Sequence, residues 1–360
     1  MTTQSTQPLP PRGGNKAVKK SKPKKRGKTV LKYVLIIFIL LLLSAGAYAG
    51  YLWYKANQVL DDITVNNAKD ATEEEMASVK PMTILLLGLD SREGLGLMNT
   101  DVIMALTMNP ETKSATLVSI PRDTYIHPSG YSEGWKANAF YSIAKNNGYG
   151  EGEFGEVKTI FSEFLDIEMD YAVLINFEAF KDVVDALDGV YVEVDQDMRY
   201  VDTVDGTDIN LKAGWQTLDG QDALDFVRYR KSNRGTGASS DQERNQRQQQ
   251  VLSAIIDKIK SPTVVLSAGG LLDAVGDNVK TDLPKNQIID IIQTYAGISS
   301  NNIEYIPLEG RWVSPYIELD PVKFEEAKQK LKQRLQADEA QTVIPEETGT
   351  DAESESANGQ

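Results

Sequence analysis

Cations are concentrated in one stretch of an otherwise acidic chain. Residues 226–250, FVRYRKSNRGTGASSDQERNQRQQQ, hold five arginines and one lysine against two acids, although the whole chain has a formal net charge of −14. Guanidinium groups bind phosphate oxygens through paired hydrogen bonds. The stretch therefore predicts a site for a phosphate or a pyrophosphate, and a solvated arginine-rich helix face is the plainer alternative.

Two elements are expected to position these cations. FVRYR is predicted to be a strand, which would put Phe226, Arg228 and Arg230 on one face. After a loop, Ser240-x-x-Glu243 is a capping-box signature that begins a helix, and a helix N-terminus favours anions. On that helix, residues at spacings i, i+3 and i+4 share one side, namely Arg244, Arg247 and Gln248.

Charged residues also interrupt the ends of three apolar runs that are predicted to be strands. TILLLGLDSR delivers Asp90 and Arg92, the next run opens with Asp101, and SIPRDTY ends in Arg122 and Asp123. Open α/β sheets bind ligands at strand ends. Two close aspartates need a cation between them, and oxygen ligands select a hard ion such as Mg²⁺. We therefore expect a metal site at Asp90 and Asp101, unless each acid only caps a turn.

The composition excludes several kinds of catalytic site. The chain has no cysteine and one histidine, His127, which lies in a loop-like YIHPSG segment. Thiol nucleophiles, zinc-finger ligand sets and Ser-His-Asp relays of the usual kind are therefore nearly excluded. Any chemistry must use carboxylates, cations, hydroxyls or a hard metal ion.

The N-terminal part has the composition of a membrane anchor. Up to Lys55 there are 11 basic residues and no acid, whereas the remainder has 27 basic and 52 acidic residues, a net charge of −25. Residues 33–54 are uncharged, and as a helix they would span about 33 Å, which matches a bilayer core of about 30 Å. Tyr51, Trp53 and Tyr54 form an interfacial belt, which favours an uncleaved anchor over a cleaved signal peptide.

The charge distribution also predicts which side of the membrane each part occupies. By the positive-inside rule the basic flank stays in the cytoplasm, so the residues after Lys55 are expected outside the cell. An acidic exterior domain argues against nucleic acid as a partner. The predicted organisation is a basic cytoplasmic segment, a transmembrane helix, a polar stem, a catalytic domain and an acidic disordered tail, at residues 1–32, 33–54, 55–80, 81–336 and 337–360.

Strand-like and helix-like runs alternate through the exterior domain. DVIMALTM and ATLVSIPRD flank NPETK and so suggest a hairpin. YAVLINF, FEAFKDVVDALDG and VYVEV follow in the strand, helix, strand order typical of an α/β sheet. Further helices are expected in VVLSAGGLLDAV, NQIIDIIQTYAG and KFEEAKQKLKQRL, with a strand in IEYIPL. An α/β domain is therefore predicted.

Five segments, taken in order, resemble the LytR-CpsA-Psr family of cell-wall enzymes: ILLLGLDSR, NTD, SIPRDTY, KANA, and RYR with DQERNQRQQQ. The resemblance runs from about Met82 to about Ile259. It implies a three-layer α/β/α fold and transfer of a glycopolymer, of teichoic acid or capsule type, from undecaprenyl pyrophosphate to peptidoglycan. The implied partners are that lipid-linked polymer, peptidoglycan and the cytoplasmic membrane.

The resemblance also implies roles for individual residues. The Mg²⁺ carboxylates fall on Asp90 and Asp101, with Mn²⁺ as an alternative ion. The pyrophosphate contacts fall on Arg122, Arg230, Arg244 and Gln248. Other motif positions are Arg92, Lys136, Asn138, Arg228, Asp241 and Arg247. Arg122, Asp123 and Arg230 are the expected catalytic residues, with Asp123 either a general base or a structural partner of Arg122.

Two points remain open at the level of sequence. The family commonly has arginine where this chain has Asn99, so the site loses one cation unless Arg92 compensates. The same residues would also serve a pyrophosphatase that releases the polymer with water. A non-enzymatic scaffold that binds polyprenyl lipids is the third alternative.

Overall fold

The computed structural model describes residues 26–65, 68–89, 99–147, 152–203, 206–261, 264–276 and 278–336. They belong to two units, Met1–Trp53 and Tyr54–Gln360. The predictions for the acidic tail 337–360, and for most of the basic segment 1–32, fall outside the described residues.

The described residues form nine helices, which we number in chain order: α1 Arg26–Ile63, α2 Phe140–Asn147, α3 Gly152–Leu165, α4 Phe177–Ala186, α5 Gly220–Arg228, α6 Asp241–Ile259, α7 Val264–Gly276, α8 Lys285–Tyr295 and α9 Pro321–Leu335. They also form these strands: β1 Met82–Leu89, β2 Thr100–Asn109, β3 Ser114–Ser119, β4 Tyr125–Ile126, β5 Trp135–Lys136, β6 Tyr171–Asn176, β7 Val190–Val194, β8 Met198–Val201, β9 Asp208–Leu211, β10 Gly214–Leu218, β11 Val279–Thr281, β12 Ile303–Pro307, β13 Gly310–Val313 and β14 Tyr316–Leu319.

The described part of the N-terminal unit is helical, as the sequence predicts. One stretch, Ile36–Ile63, is long and apolar enough to cross a membrane, with a mean hydropathy of 2.0. Within the N-terminal unit its large side chains are exposed, among them Leu41 and Leu43. A helix with so much uncovered apolar surface suits a hydrocarbon environment.

A six-stranded mixed sheet forms the centre of the second unit, in the order β11-β6-β1-β2-β3-β12. β2 pairs with β1 and with β3 in antiparallel fashion, so the hairpin predicted around NPETK is confirmed. β6 and β12 run parallel to their neighbours β1 and β3. Leu85 and Leu87 of β1 face a core with α2, α3 and α9, whereas Met82 and Ile84 face a core with α8. Helices therefore cover both faces, as the predicted α/β/α fold requires.

The VYVEV strand does not join the central sheet. This strand, β7, pairs with β10 in a separate ribbon, and together with β8, β9, α5 and α6 it encloses a second core. Its valines are buried and alternate with the outward-facing Tyr191 and Glu193. Such alternation fits a half-exposed antiparallel strand, whereas a central parallel strand is apolar on both faces.

The prediction that FVRYR is a strand was wrong. Phe226 and Arg228 lie in the last turns of α5, which begins after Asp219, whose side chain accepts a hydrogen bond from the Asp222 amide at 2.9 Å. Ala223 and Phe226 are both buried at a spacing of three, which is the helical period. Five residues considered alone could not show that period.

The stem predicted at residues 55–80 packs against the domain over its described part. The Val65 amide donates to the Thr281 carbonyl at 2.9 Å, and the Ser78 amide donates to the Asp290 carboxylate at 2.6 Å. Val59 is buried beside Val279. The segment is therefore an integral edge of the domain and does not act as a free spacer.

Candidate active site

A cavity of about 460 Å³ lies between the central sheet and helices α4, α5 and α6. Its wall is mainly apolar, with contributions from β1, β2, β3, β6 and β12 and from the three helices, and it includes Leu86, Met104, Phe180, Val251, Leu252 and Ile255. β1 and β2 approach closely in the wall of the cavity. A Cβ at Gly88 would lie only 2.7 Å from the Cβ of Val102. The glycine of ILLLGLD is therefore required for the strand pairing at this point.

Charged residues from distant parts of the sequence meet in the wall of this cavity. They come from β2, from the turn after β3, from the end of α5 and the segment that follows it, and from the first turns of α6, and they are Asp101, Arg122, Arg228, Arg230 and Arg244. Gln248 also lines the cavity. An apolar cavity with a cluster of cations in its wall can accommodate an amphiphile that has an anionic head and an apolar tail.

Arg122 is held by two carboxylates. Its Nη1 donates to Asp101 Oδ1 at 2.7 Å, and its Nε lies 3.6 Å from Asp123 Oδ2. Burial lowers the pKa of Arg122, but the charges of Asp101 and Asp123 more than offset this, so its pKa is raised. The two carboxylates therefore fix the orientation of the Arg122 side chain and favour its charged form.

Arg230 and Arg244 have the opposite electrostatic setting. Partial removal from water, together with the charge of Arg122, lowers the pKa of Arg230. Burial, followed by the charges of Arg230, Arg122 and Arg247, lowers the pKa of Arg244 to about 10. Like charges that lower the pKa of a neighbouring arginine are held close by the fold, and a bound anion would relieve their repulsion.

Asp123 and Lys136 lie beside this cluster. Lys136 Nζ donates to Asp123 Oδ1 at 2.7 Å, and the same Nζ lies 5.6 Å from the ring centroid of Trp312. The backbone amide of Asn138 donates to the carbonyl of Arg122 at 3.0 Å. The KANA motif thus positions the SIPRDTY turn, through a side chain at Lys136 and through the backbone at Asn138.

Arg247 is not brought into the cavity. It is 2 % exposed, and its guanidinium donates to both carboxylate oxygens of Asp195 at 2.7 and 2.6 Å. The same group donates to Ser239 Oγ at 2.8 Å and to the Tyr229 carbonyl at 3.3 Å. These contacts connect α6 to the RYR segment. Arg247 therefore helps to hold in place the two elements that carry Arg230 and Arg244. The side chain of Asp241 lies outside the described residues.

Sequence analysis missed two aromatic residues of the site, Phe177 and Tyr305, because neither belongs to the arginine-rich motifs. Arg228 lies over the ring of Phe177, with 5.0 Å between its Cζ and the ring centroid. The hydroxyl of Tyr305 donates to Gln248 Oε1 at 3.2 Å. Tyr305 belongs to the IEYIPL strand, whose position beside β3 could not be known from sequence. It is the pairing of the strands that brings Tyr305 to the cavity.

The structure confirms the helix start predicted from the capping box. Ser240 Oγ accepts from the Glu243 amide at 3.2 Å, and the Ser240 amide donates to Glu243 Oε2 at 2.6 Å. α6 therefore begins where Arg244 and Gln248 share the face that lines the cavity. Asp90 and Arg92 lie outside the described residues, and Asn99 is the first described residue after them.

Comparison with known proteins gives matches of both sequence and fold. A sequence profile of the LytR_cpsA_psr family matches residues 50–337. The polyisoprenyl-teichoic acid–peptidoglycan teichoic acid transferase TagT of Bacillus subtilis is 33 % identical over 331 residues, covering 87 % of this chain and 97 % of TagT. The crystal structure of B. subtilis TagV matches with a TM-score of 0.57 at 28 % identity, over 71 % of this chain and 98 % of TagV. A structure of TagT bound to LI-WTA matches with a TM-score of 0.54 at 31 % identity, over 76 % and 97 % of the two chains.

Proposed function

Because the chain belongs to the LytR_cpsA_psr family, we propose that it is a transferase that moves an anionic glycopolymer from polyprenyl pyrophosphate to peptidoglycan. The observation that carries this proposal is the cluster of Arg122, Arg230 and Arg244 in the wall of an apolar cavity. The cations suit a pyrophosphate head, and the apolar walls suit a prenyl tail. The relatives named as teichoic acid transferases favour a polymer of the teichoic acid type.

The reaction that suits this site is phosphoryl transfer. A hydroxyl of the acceptor sugar attacks the phosphorus that carries the polymer, a new phosphorus–oxygen bond forms, and the bond to the bridging oxygen breaks. The polymer is transferred with its phosphate attached, and the lipid departs with the other phosphate. The hydroxyl proton passes to a base or to water. Fixed guanidinium groups stabilise the charge that develops on the phosphate oxygens.

Asp123 is better suited to positioning than to taking this proton. Its carboxylate binds Lys136 at 2.7 Å and faces Arg122 at 3.6 Å. These two cationic partners compete with a substrate hydroxyl for the carboxylate oxygens. We therefore assign Asp123 the role of holding Arg122 in place beside the pyrophosphate.

We propose that a divalent metal binds at one side of the cluster. Asp101 offers carboxylate oxygen at the cavity wall, and hard ions such as Mg²⁺ or Mn²⁺ prefer oxygen ligands. We propose that Asp101 would hold the ion together with Asp90, which lies outside the described residues. When bound, the ion would supply positive charge to the pyrophosphate oxygens.

The N-terminal helix supports a proposed location of the reaction at a membrane. We propose that residues 33–54 span the cytoplasmic membrane, with the basic flank inside and the catalytic domain outside. The support is the apolar stretch Ile36–Ile63 and the excess of basic residues before it. An anchor would keep the domain close to a lipid-linked donor.

The test is a reconstituted transfer reaction. The full chain in lipid vesicles would be incubated with a polyprenyl-pyrophosphate-linked teichoic acid, with and without peptidoglycan oligomers. We expect polymer to become covalently attached to the oligomers, and the Arg122→Ala variant to be inactive. Polymer that is released equally with and without oligomers would instead identify a pyrophosphatase. A chain that binds the lipid but turns over neither way would be a scaffold.

A further inference from the structure

Three aromatic side chains outside the cavity lie next to the arginine cluster. Tyr125 belongs to β4, Trp312 to β13 and Tyr316 to β14, and we call them the aromatic patch. The rings of Tyr125 and Tyr316 meet edge to face, with centroids 4.8 Å apart. Trp312 is 57 % exposed. The Trp312 ring is linked to this tyrosine pair through Lys136, whose Nζ lies 5.6 Å from the Trp312 ring centroid and whose backbone pairs with that of Tyr125.

The aromatic patch is fastened to the turn that carries Arg122. The Ile317 amide of β14 donates to the Asp123 carbonyl at 2.8 Å, and Thr124 forms a β-bridge with Ile317. Lys136 binds Asp123 at 2.7 Å, and its Nζ lies 5.6 Å from the Trp312 ring centroid. Asp123 and Lys136 therefore connect the aromatic patch directly to the residue that is proposed to hold the pyrophosphate.

The Tyr125 ring occupies the space that a side chain at position 134 would fill, and residue 134 is a glycine. A Cβ at Gly134 would come within 2.4 Å of Tyr125 Cζ. The ring therefore lies directly against the backbone at Gly134, and a larger residue there would push it away. This close contact reduces the freedom of Tyr125, so less entropy is lost when a ligand stacks on it.

Charged residues beside the aromatic patch form ion pairs with one another. Arg311 pairs with Glu318 at 3.0 Å across the β13–β14 ribbon, and Lys323 pairs with Glu309. An anionic polymer needs cations whose repulsion it can relieve, as Arg230 and Arg244 provide. A sugar ring needs aromatic faces for its polarised C–H groups and polar groups at the edge for its hydroxyls.

We propose that the aromatic patch is the acceptor subsite, which binds an amino-sugar unit of the peptidoglycan glycan. This inference rests on the proposed transferase function. The acceptor hydroxyl must reach the phosphorus beside Arg122 while the prenyl tail fills the cavity. The aromatic patch adjoins Arg122 through Asp123, and the described cavity wall does not include it.

A binding experiment that needs no turnover tests the subsite. A GlcNAc–MurNAc oligosaccharide would be titrated against the full chain in nanodiscs. Trp312→Ala and Tyr316→Ala are each expected to weaken binding about tenfold, the loss of roughly one good aromatic contact. Trp312→Phe is expected to retain most of the affinity. Trp215→Ala is the matched control, because Trp215 is also 57 % exposed and lies on another two-stranded ribbon.

Affinity for a polyprenyl pyrophosphate should stay unchanged in all these variants, which also shows that they fold. The inference is overturned if the oligosaccharide does not bind the wild-type chain, or if it binds Trp312→Ala and Tyr316→Ala as tightly as the wild type. It is also overturned if these variants lose affinity only for a soluble teichoic acid fragment, which would assign the aromatic patch to the donor. If glycan binding depends on Trp312 but the wild type only releases polymer, the transferase proposal fails and the subsite stands.

Discussion

Arg122 and Asp101 form a hydrogen-bonded ion pair, with Nη1 2.7 Å from Oδ1. The pair joins the turn after β3 to the start of β2 and lies at the cavity wall. Asp101 thus has one observed use and one proposed use: it compensates Arg122, and we propose that its carboxylate also binds a metal ion. The two uses make different demands on the residue, and they can be separated by experiment.

The Asp101→Asn variant keeps the shape of the side chain and removes its charge. We expect transfer to fall about 100-fold, because charge stabilisation at the phosphate is lost. We also expect the Mg²⁺ concentration for half-maximal activity to rise, which a titration of initial rates would measure. If activity fell without any change in the Mg²⁺ dependence, Asp101 would act only as the partner of Arg122.

Arg244 tests whether the repulsion between the arginines serves an anion. Its pKa is lowered to about 10 by burial and by neighbouring cations, so its charge is held at a cost in the ligand-free protein. We expect Arg244→Gln to lower the affinity for inorganic pyrophosphate at least about tenfold, the loss of a charged hydrogen bond. The same change is expected to raise the thermal midpoint of the ligand-free protein.

Arg234 provides the matched control, because it belongs to the same cationic stretch but is exposed. Arg234→Gln should leave both the pyrophosphate affinity and the thermal midpoint as in the wild type. Isothermal titration and thermal unfolding measure the two effects. A fall in stability together with unchanged binding in Arg244→Gln would show a purely structural arginine.

The sequence predicts the cluster better than it predicts the elements that carry it. Arg230 and Arg244 were correctly expected to converge, and the capping box placed the start of α6. The RYR segment was nevertheless assigned to a strand, since a local pattern cannot show that α5 begins at Gly220. Arg247 was counted with the cations of the site because its spacing matches theirs. Only the tertiary structure reveals its partner Asp195, which is distant in sequence.

Asp195 and Asp197 distinguish an ion pair whose cation is buried from one in which both partners are exposed. Asp195 binds both the Nε and Nη2 atoms of Arg247, which is 2 % exposed, whereas Asp197 binds the exposed Lys212 at 2.8 Å. Asp195→Ala would leave the Arg247 guanidinium without its carboxylate, at an expected cost of about 3 kcal/mol in the free energy of unfolding. Asp197→Ala is expected to cost at most about 1 kcal/mol.

Denaturant unfolding in detergent measures both values. Because Arg247 fastens α6 to the RYR segment, Asp195→Ala should also weaken pyrophosphate binding, and Asp197→Ala should not. Equal costs for the two substitutions would contradict the structural role of Arg247.

The proposed binding of the prenyl tail in the apolar cavity can be tested by placing a larger side chain in the cavity wall. Leu252 lies on the face of α6 that lines the cavity. Leu252→Trp is expected to raise the KM for a long-chain polyprenyl donor about tenfold, since the larger ring takes space from the tail. A donor analogue with a short prenyl chain should be used at the normal rate. Ile259→Trp, at an exposed position of the same helix, is the control and should change neither KM. Equal losses with both donors would show that the tail lies elsewhere.

Asp225 gives the domain a predictable dependence on pH. It is 5 % exposed, and its Oδ1 accepts from Gln221 Nε2 at 3.1 Å. Burial raises the pKa of Asp225 to about 6; the Gln221 hydrogen bond and Arg228 partly oppose this shift, and Asp222 and Asp208 add to it. The carboxyl of an unfolded chain has a pKa of about 4.

Between these two values the folded chain binds more protons at this site than the unfolded chain does. Asp225 therefore destabilises the fold progressively as the pH rises from about 4 to about 6, and the full cost remains at pH 7. Asp225→Asn is expected to increase the free energy of unfolding at pH 7 by about 1–3 kcal/mol, and the difference from the wild type should vanish near pH 4. Denaturant titrations across this range measure it, with Asp257→Asn at an exposed position of α6 as the control. A gain that is the same at every pH would exclude ionisation of Asp225 as its cause.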